Sequence, residues 1–357
     1  MIRLLSLSLL FASATLGQTA VMLPAQVIKL RSLVSTNKSA ARQFERIKEQ
    51  AEAALKEEPN PAPVIASEGK LKGDPAKIAT RHSLEDMGRA EALGWAFAVT
   101  GDSRFGNKAR AYVLAWARTN EPDGDPINET KLEPMLTACD LVAAGFQPAE
   151  KQVVDAWVRK IADALAAHQK RASKATSFNN WHSHRLKITG LCGWLLADKA
   201  LIDRAVDGYR EQIGRNLQPD GSSFDFHERD ALHYHCYDLE PLLTLAMLAR
   251  VHGIDLYSYT AANGASLGKA VAFLVPYCDG SQTHAEFVNS KVAFDKKRAE
   301  DGDGQFTIGH PFDPKEARES LLLASAFDPQ FLPLYLKVAQ KKPAGYASWQ
   351  IVLNSVR

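Results

Sequence analysis

Cysteine is scarce in this 357-residue chain, and the four present form no pattern. Cys139, Cys192, Cys236 and Cys278 stand 53, 44 and 42 residues apart. Such spacing excludes a zinc ribbon and a CxxC redox pair. Cys139 and Cys192 fall in apolar helical patterns, so buried free thiols are expected, with one disulfide as the alternative in an exported protein. An excess of charge of one sign is also missing: 43 Lys and Arg face 41 Asp and Glu. That balance disfavours a nucleic-acid partner while leaving room for a local basic groove. Beyond residue 20 no apolar run reaches the ~18 residues of a membrane span. Alternating strand-like runs joined by hairpin turns are few.

The first twenty residues, MIRLLSLSLLFASATLGQTA, carry Arg3, an apolar stretch over Leu4 to Leu16, and small residues at Gly17, Thr19 and Ala20. They read as a secretory signal peptide over 1–20, placing a single domain over 21–357 in the periplasm or outside the cell. Helical periodicity dominates that domain. Phe105, Ala109, Tyr112, Val113 and Trp116 share one helix face, as do Val154, Trp157, Val158, Ile161 and Leu165. Ile188, Leu191, Cys192 and Leu195 repeat the pattern, and Leu239, Leu242, Leu243 and Ala246 do so again. Further helices are expected over 42–57, 84–99, 131–145, 201–214, 265–275, 315–325 and 330–340. The turn Thr100-Gly101-Asp102-Ser103 ends one helix with glycine and caps the next, an αα-hairpin. Stacked hairpins of this kind predict an all-α fold, an α/α toroid in preference to an open solenoid. Polar loops at 119–130, 215–226 and 299–314 are the places for function on such a scaffold.

Histidine placement is the sharpest signal. Five of the ten histidines lie between 182 and 235, in the clusters Ser177-Phe-Asn-Asn-Trp-His-Ser-His-Arg185 and Phe226-His-Glu-Arg-Asp-Ala-Leu-His-Tyr-His-Cys-Tyr237. Each precedes a long apolar helix, so two helix openings are expected to face one pocket. Asn179 and Asn180 offer amides, Arg185 and Arg229 forked cations, and His182, His184, His233 and His235 bases or donors near neutrality. Tyr234 and Tyr237 are phenols, whose pKa a neighbouring Arg would lower. Amide, cation, imidazole and phenol are the parts needed for β-elimination from a uronic acid. The carboxylate is neutralised, the C5 proton is removed, and the departing glycosidic oxygen is protonated.

The two clusters, with the stretch Ala92-Leu-Gly-Trp-Ala-Phe-Ala-Val-Thr-Gly-Asp102, resemble the alginate lyase superfamily of polysaccharide lyases over roughly residues 80–300. The resemblance implies an α/α toroid, elimination without a cofactor or metal, and a β-1,4-linked polyuronate such as mannuronan or glucuronan as the partner. Carried onto this sequence, it implies Asn180 and Arg229 as carboxylate neutralisers, His182 or His184 as base, and Tyr237 as acid, or as both acid and base. The chain departs from the family pattern at Trp181, which interrupts the Asn-Asn-His run, and at Asp230, which displaces the arginine by one position. Trp181, Arg81, His82, His284 and Lys291 are further candidates for holding substrate, together with Asn179, Arg185, His233, Tyr234 and His235.

Blander assignments stand beside these. His168, His227, His252 and His310 are expected to be structural, Trp95, Trp116, Trp157 and Trp194 to be core, and Lys296-Lys297-Arg298 a solvated face. Three other functions compete with elimination. A metal enzyme would use the HxH pairs His182/His184 and His233/His235. A toroid glycoside hydrolase would use carboxylates such as Glu133, Glu228 or Asp230. A uronan-binding protein would not turn its ligand over. Oligomeric state is open.

Overall fold

The computed structural model describes residues 20–171, 173–342 and 344–357. The expected signal peptide therefore lies outside the described residues except at Ala20. Helix is the only regular structure among them, with β-pairing limited to three isolated bridges.

Seven helices follow one another around a ring. They are Lys38–Ala54, Glu85–Thr100, Glu133–Val142, Asn180–Leu195, Leu232–Val251, Arg318–Ala324 and Trp349–Asn354, the last returning onto the first. Trp349 makes the closure, its ring 5.8 Å from Phe44 and 6.0 Å from Trp95. Outer helices, among them Ser103–Thr119, Pro148–Gln169 and Lys199–Asn216, pack against this ring. The result is an α/α toroid. Its middle holds a cavity of about 450 Å³ lined by Glu91, Glu133, Leu191, Thr244 and Glu319.

Local chemistry explains the hairpins. Gly101 ends the Glu85–Thr100 helix with φ +73°, a left-handed conformation that costs glycine little, and the Asp102 carboxylate accepts the Arg104 N–H at 2.9 Å. The apolar stripe expected on Pro148–Gln169 is buried at all five positions, and Trp95, Trp116, Trp157 and Trp194 are core. Each large apolar side chain so buried contributes ~1.5–3 kcal/mol. The Asn180–Leu195 helix is enclosed on nearly every side. At Gly193 a Cβ would sit 2.9 Å from the Ile202 backbone nitrogen, so only glycine lets the Lys199–Asn216 helix approach this closely. All four cysteines are buried free thiols.

Candidate active site

The two histidine-rich clusters become the first turns of neighbouring ring helices. Asn179 caps Asn180–Leu195, its side-chain oxygen accepting the Trp181 N–H at 3.0 Å. Leu232–Val251 has no cap of its own. Glu286 supplies one from a distant segment, accepting the Leu232 N–H at 2.9 Å and the His233 N–H at 3.0 Å. A carboxylate suits this position because the helix start leaves its amide donors unpaired. Glu286 is held there by a strained turn. Asp230 (φ +49°) and Phe287 (φ +65°) are both left-handed, and the Phe287 N–H donates to the Asp230 carbonyl at 2.7 Å. Such conformations cost ~1–3 kcal/mol each. Phe287 is fully buried against Tyr234 and Phe306, which offsets the cost.

Tyr237 is the centre of the arrangement. Its ring lies 4.4 Å from that of His184 on one side and 6.3 Å from that of His233 on the other, the latter nearly parallel at 10°. The phenol oxygen has no hydrogen-bond partner among the described residues. Burial, with Glu68, Tyr234, Glu240 and Asp125 around it, pushes its pKa above the ordinary value. This reverses the expected lowering by arginine: Arg229 lies over Tyr234 instead, 3.8 Å from its ring centroid. The Tyr237 phenol is therefore a neutral acid.

His184 backs the phenol from inside. It is only 3% exposed. Its Nδ1 and the Thr130 hydroxyl are 2.9 Å apart, and its Nε2 is enclosed without a partner. Burial, reinforced by Lys187 and Lys131, keeps the ring neutral. His233 stands nearer the solvent. Its Nδ1 is 2.6 Å from Glu316 Oε2, with the Gln305 amide at 3.2 Å.

Several candidates from the sequence lie elsewhere. Residues two apart on a helix point in nearly opposite directions, so each HxH pair is split. His182 turns away from Tyr237 to Arg185, its Nδ1 3.1 Å from Arg185 Nη1, and burial lowers its pKa to about 4. Arg185 itself is 1% exposed, too enclosed to meet a polymer, and burial lowers its pKa to about 10. His235 is fully buried between the Ser223 hydroxyl and the Ala270 carbonyl, both at 2.9 Å, so it serves the fold. The Asn180 amide donates to the buried Asp225 carboxylate, and Asn180 N–H donates to the same group at 2.9 Å. Arg229 is committed to Asp295. Tyr234 donates its ring to Arg229, while its hydroxyl accepts from Arg298 at 2.8 Å. His284 braces the Asp230 turn, Nε2 to the Asp230 carbonyl at 3.1 Å. Lys291, Arg81 and His82 are exposed, His82 lying 3.6 Å from Glu85. Trp181 is half-buried beside His168, with ring centroids 6.1 Å apart.

Thr130, Lys131, Glu286 and Glu316 were not among the candidates. Only the polar loop ending at Thr130 and the His284-Ala-Glu286 stretch hinted at them. Lys131 is notable for what it lacks. Lys187 is paired with Glu133, Arg229 with Asp295, and Arg298 with Tyr234. Lys131 is half-buried and has no hydrogen bond or ion pair among the described residues. It lies near Glu68 and Asp125, the same two carboxylates that surround Tyr237, and its field reaches His184.

The fold is an α/α toroid, and its candidate site gathers a phenol and two imidazoles where two ring helices begin, with Lys131 nearby. The alginate lyase family profile matches residues 30–284, and the chain belongs to that family of polysaccharide lyases. A polysaccharide lyase of Stenotrophomonas maltophilia is 28% identical over 171 residues, covering 44% of this chain and 50% of the relative, so the match spans half of that protein's length. The crystal structure of an alginate lyase from Bacteroides ovatus superposes with a TM-score of 0.68 at 19% identity, covering 95% of this chain and 99% of the other. Alginate lyase A1-III from Sphingomonas species A1 superposes with a TM-score of 0.58 at 19% identity, covering 75% and 82%.

Proposed function

We propose that the protein is an exported lyase that cleaves a β-1,4-linked polyuronate, mannuronan or glucuronan, by β-elimination, leaving a 4,5-unsaturated uronate end. The observation that carries this reading is the Tyr237 phenol, free of any hydrogen bond among the described residues and held between two imidazoles. An acid with no internal partner is free to give its proton to a departing glycosidic oxygen. Lys131, in no ion pair among the described residues, would meet the substrate carboxylate, which makes the C5 proton acidic. The roles first expected of Asn180 and Arg229 suit them less well, because both side chains already hold Asp225 and Asp295. His184 acts through Tyr237, as an enclosed neutral ring that sets the phenol's position.

No helix among the described residues is long and apolar enough to cross a membrane. Export rests on the amino-terminal segment, with a free polysaccharide as the partner. The test is a panel of mannuronan, guluronan, glucuronan and hyaluronan, followed by the ultraviolet absorbance of the unsaturated product. Fully saturated products on every polymer would overturn the reading in favour of hydrolysis.

A further inference from the structure

Elimination requires a group to accept the C5 proton, and the enclosed Nε2 of His184 is poorly placed to reach a sugar. We propose that His233, oriented by Glu316, is the general base, and that it works with Tyr237 from one face of one helix. This inference rests on the elimination reading above.

Three observations carry it. First, His233 Nδ1 is 2.6 Å from Glu316 Oε2, with the two side chains 19% and 23% exposed. Of the two contacts at Nδ1 the shorter, to the carboxylate, places the proton there, so the Gln305 nitrogen at 3.2 Å is a neighbour and not a donor to it, and the Nε2 lone pair is left free, the arrangement by which an imidazole is made into a base. Second, Nε2 has no hydrogen-bond partner among the described residues and is not enclosed, unlike that of His184. Third, His233 and Tyr237 are four residues apart on Leu232–Val251, and their rings are nearly parallel at 6.3 Å. The His233 end of the pair is pinned further by Glu286, which accepts its backbone N–H.

His233 Nε2 takes the C5 proton. The C5–H electron pair becomes the C4=C5 double bond, the C4–O bond breaks, and the leaving oxygen takes the Tyr237 proton. The imidazolium then returns its proton to the phenolate through water. Base and acid on one face attack one side of the sugar ring, which is a syn elimination. In D-mannuronate and D-glucuronate chairs the C5 hydrogen and C4 oxygen are gauche, as this requires. In L-guluronate they are anti.

The test uses the full chain with mannuronan and glucuronan. His233→Gln is expected to lower kcat by on the order of 10²-fold or more while KM changes little. Glu316→Gln, which leaves the imidazole without the carboxylate that orients it, should lower kcat while KM changes little. Imidazole in solution should restore part of the activity of His233→Ala. A folded His233→Gln enzyme with kcat near that of the wild type would overturn the proposal, as would a Glu316→Gln enzyme with wild-type kcat. A wild-type protein inactive on every polyuronate would instead overturn the elimination reading itself.

Discussion

The ring of Tyr237 rests 4.4 Å from the ring of His184, tilted by 46°, and the two come from ring helices whose starts are some fifty residues apart in the chain. The contact is possible because His184 stays uncharged. An imidazolium enclosed here would be desolvated and repelled by the nearby cations Lys187 and Lys131. A neutral His184 therefore behaves as an aromatic wall, with Thr130 fixing its rotation.

Tyr237→Phe removes one oxygen that has no hydrogen-bond partner among the described residues. Stability should change by less than about 0.5 kcal/mol, and the helical circular dichroism should be unaltered. Turnover, read from product absorbance, should fall about 10²–10⁴-fold, the usual contribution of a positioned acid. Wild-type turnover in this variant would remove the phenol from the chemistry.

Lys131→Gln should act on substrate recognition and leave the fold intact, because the ammonium makes no hydrogen bond or ion pair among the described residues. Taking away one charge that faces a uronate carboxylate is expected to cut kcat/KM by on the order of 10²-fold. Lys131→Arg should recover part of the loss. If Lys131→Gln left kcat/KM unchanged on polyuronates, the carboxylate would have to be met by another group.

Glu286 joins the stability of the Leu232–Val251 helix to the position of its reactive side chains. Glu286→Ala strands two buried backbone N–H groups, at a cost of about 1–3 kcal/mol. Glu286→Gln keeps one acceptor and should lie between the two. Urea unfolding midpoints rank the three proteins. The same order is expected in kcat, since His233 and Tyr237 ride on the capped turn. A Glu286→Ala protein as stable as the wild type would show that the cap carries no weight.

The helices were legible because burial on one side leaves a period. Val154, Trp157, Val158, Ile161 and Leu165 mark such a face, and all are buried. Short helices such as Phe224–Arg229 and Ala293–Glu300 were missed because they complete too few turns to show one. Within the site, sequence identified the two clusters and left His182 and His184 undecided. Choosing between them requires knowing which face of Asn180–Leu195 looks toward Tyr237, and a helix buried all round does not announce that. Thr130 with His184, Glu286 with Leu232 and Glu316 with His233 are pairings made by the closing of the ring. No spacing in the sequence encodes them. His235 was overvalued for the same reason, as its partners Ser223 and Ala270 come from other segments.

Glu129 gives a pH-dependent test of how the loop before Thr130 is held. It is buried, with Oε1 accepting the Gly124 N–H at 3.1 Å and Oε2 unpartnered. Burial raises its pKa to about 8, with Asp123 and Asp125 adding to the rise and the Gly124 N–H opposing it. A carboxyl raised on folding contributes stability that is complete below its unfolded pKa and is lost as pH climbs through the folded value. Between roughly pH 4.5 and 8 the wild type should therefore forfeit up to about 1.4 kcal/mol per pH unit from this group. Glu129→Gln mimics the neutral acid at every pH and escapes that loss. Urea unfolding of both proteins at pH 5 and pH 8 isolates the effect, because all other titrating groups are common to the pair. The variant should gain on the wild type as pH rises, with turnover near pH 7 little changed. Parallel profiles would mean that Glu129 is ionised in the folded protein and that the loop is held by a charge instead of a neutral hydrogen bond.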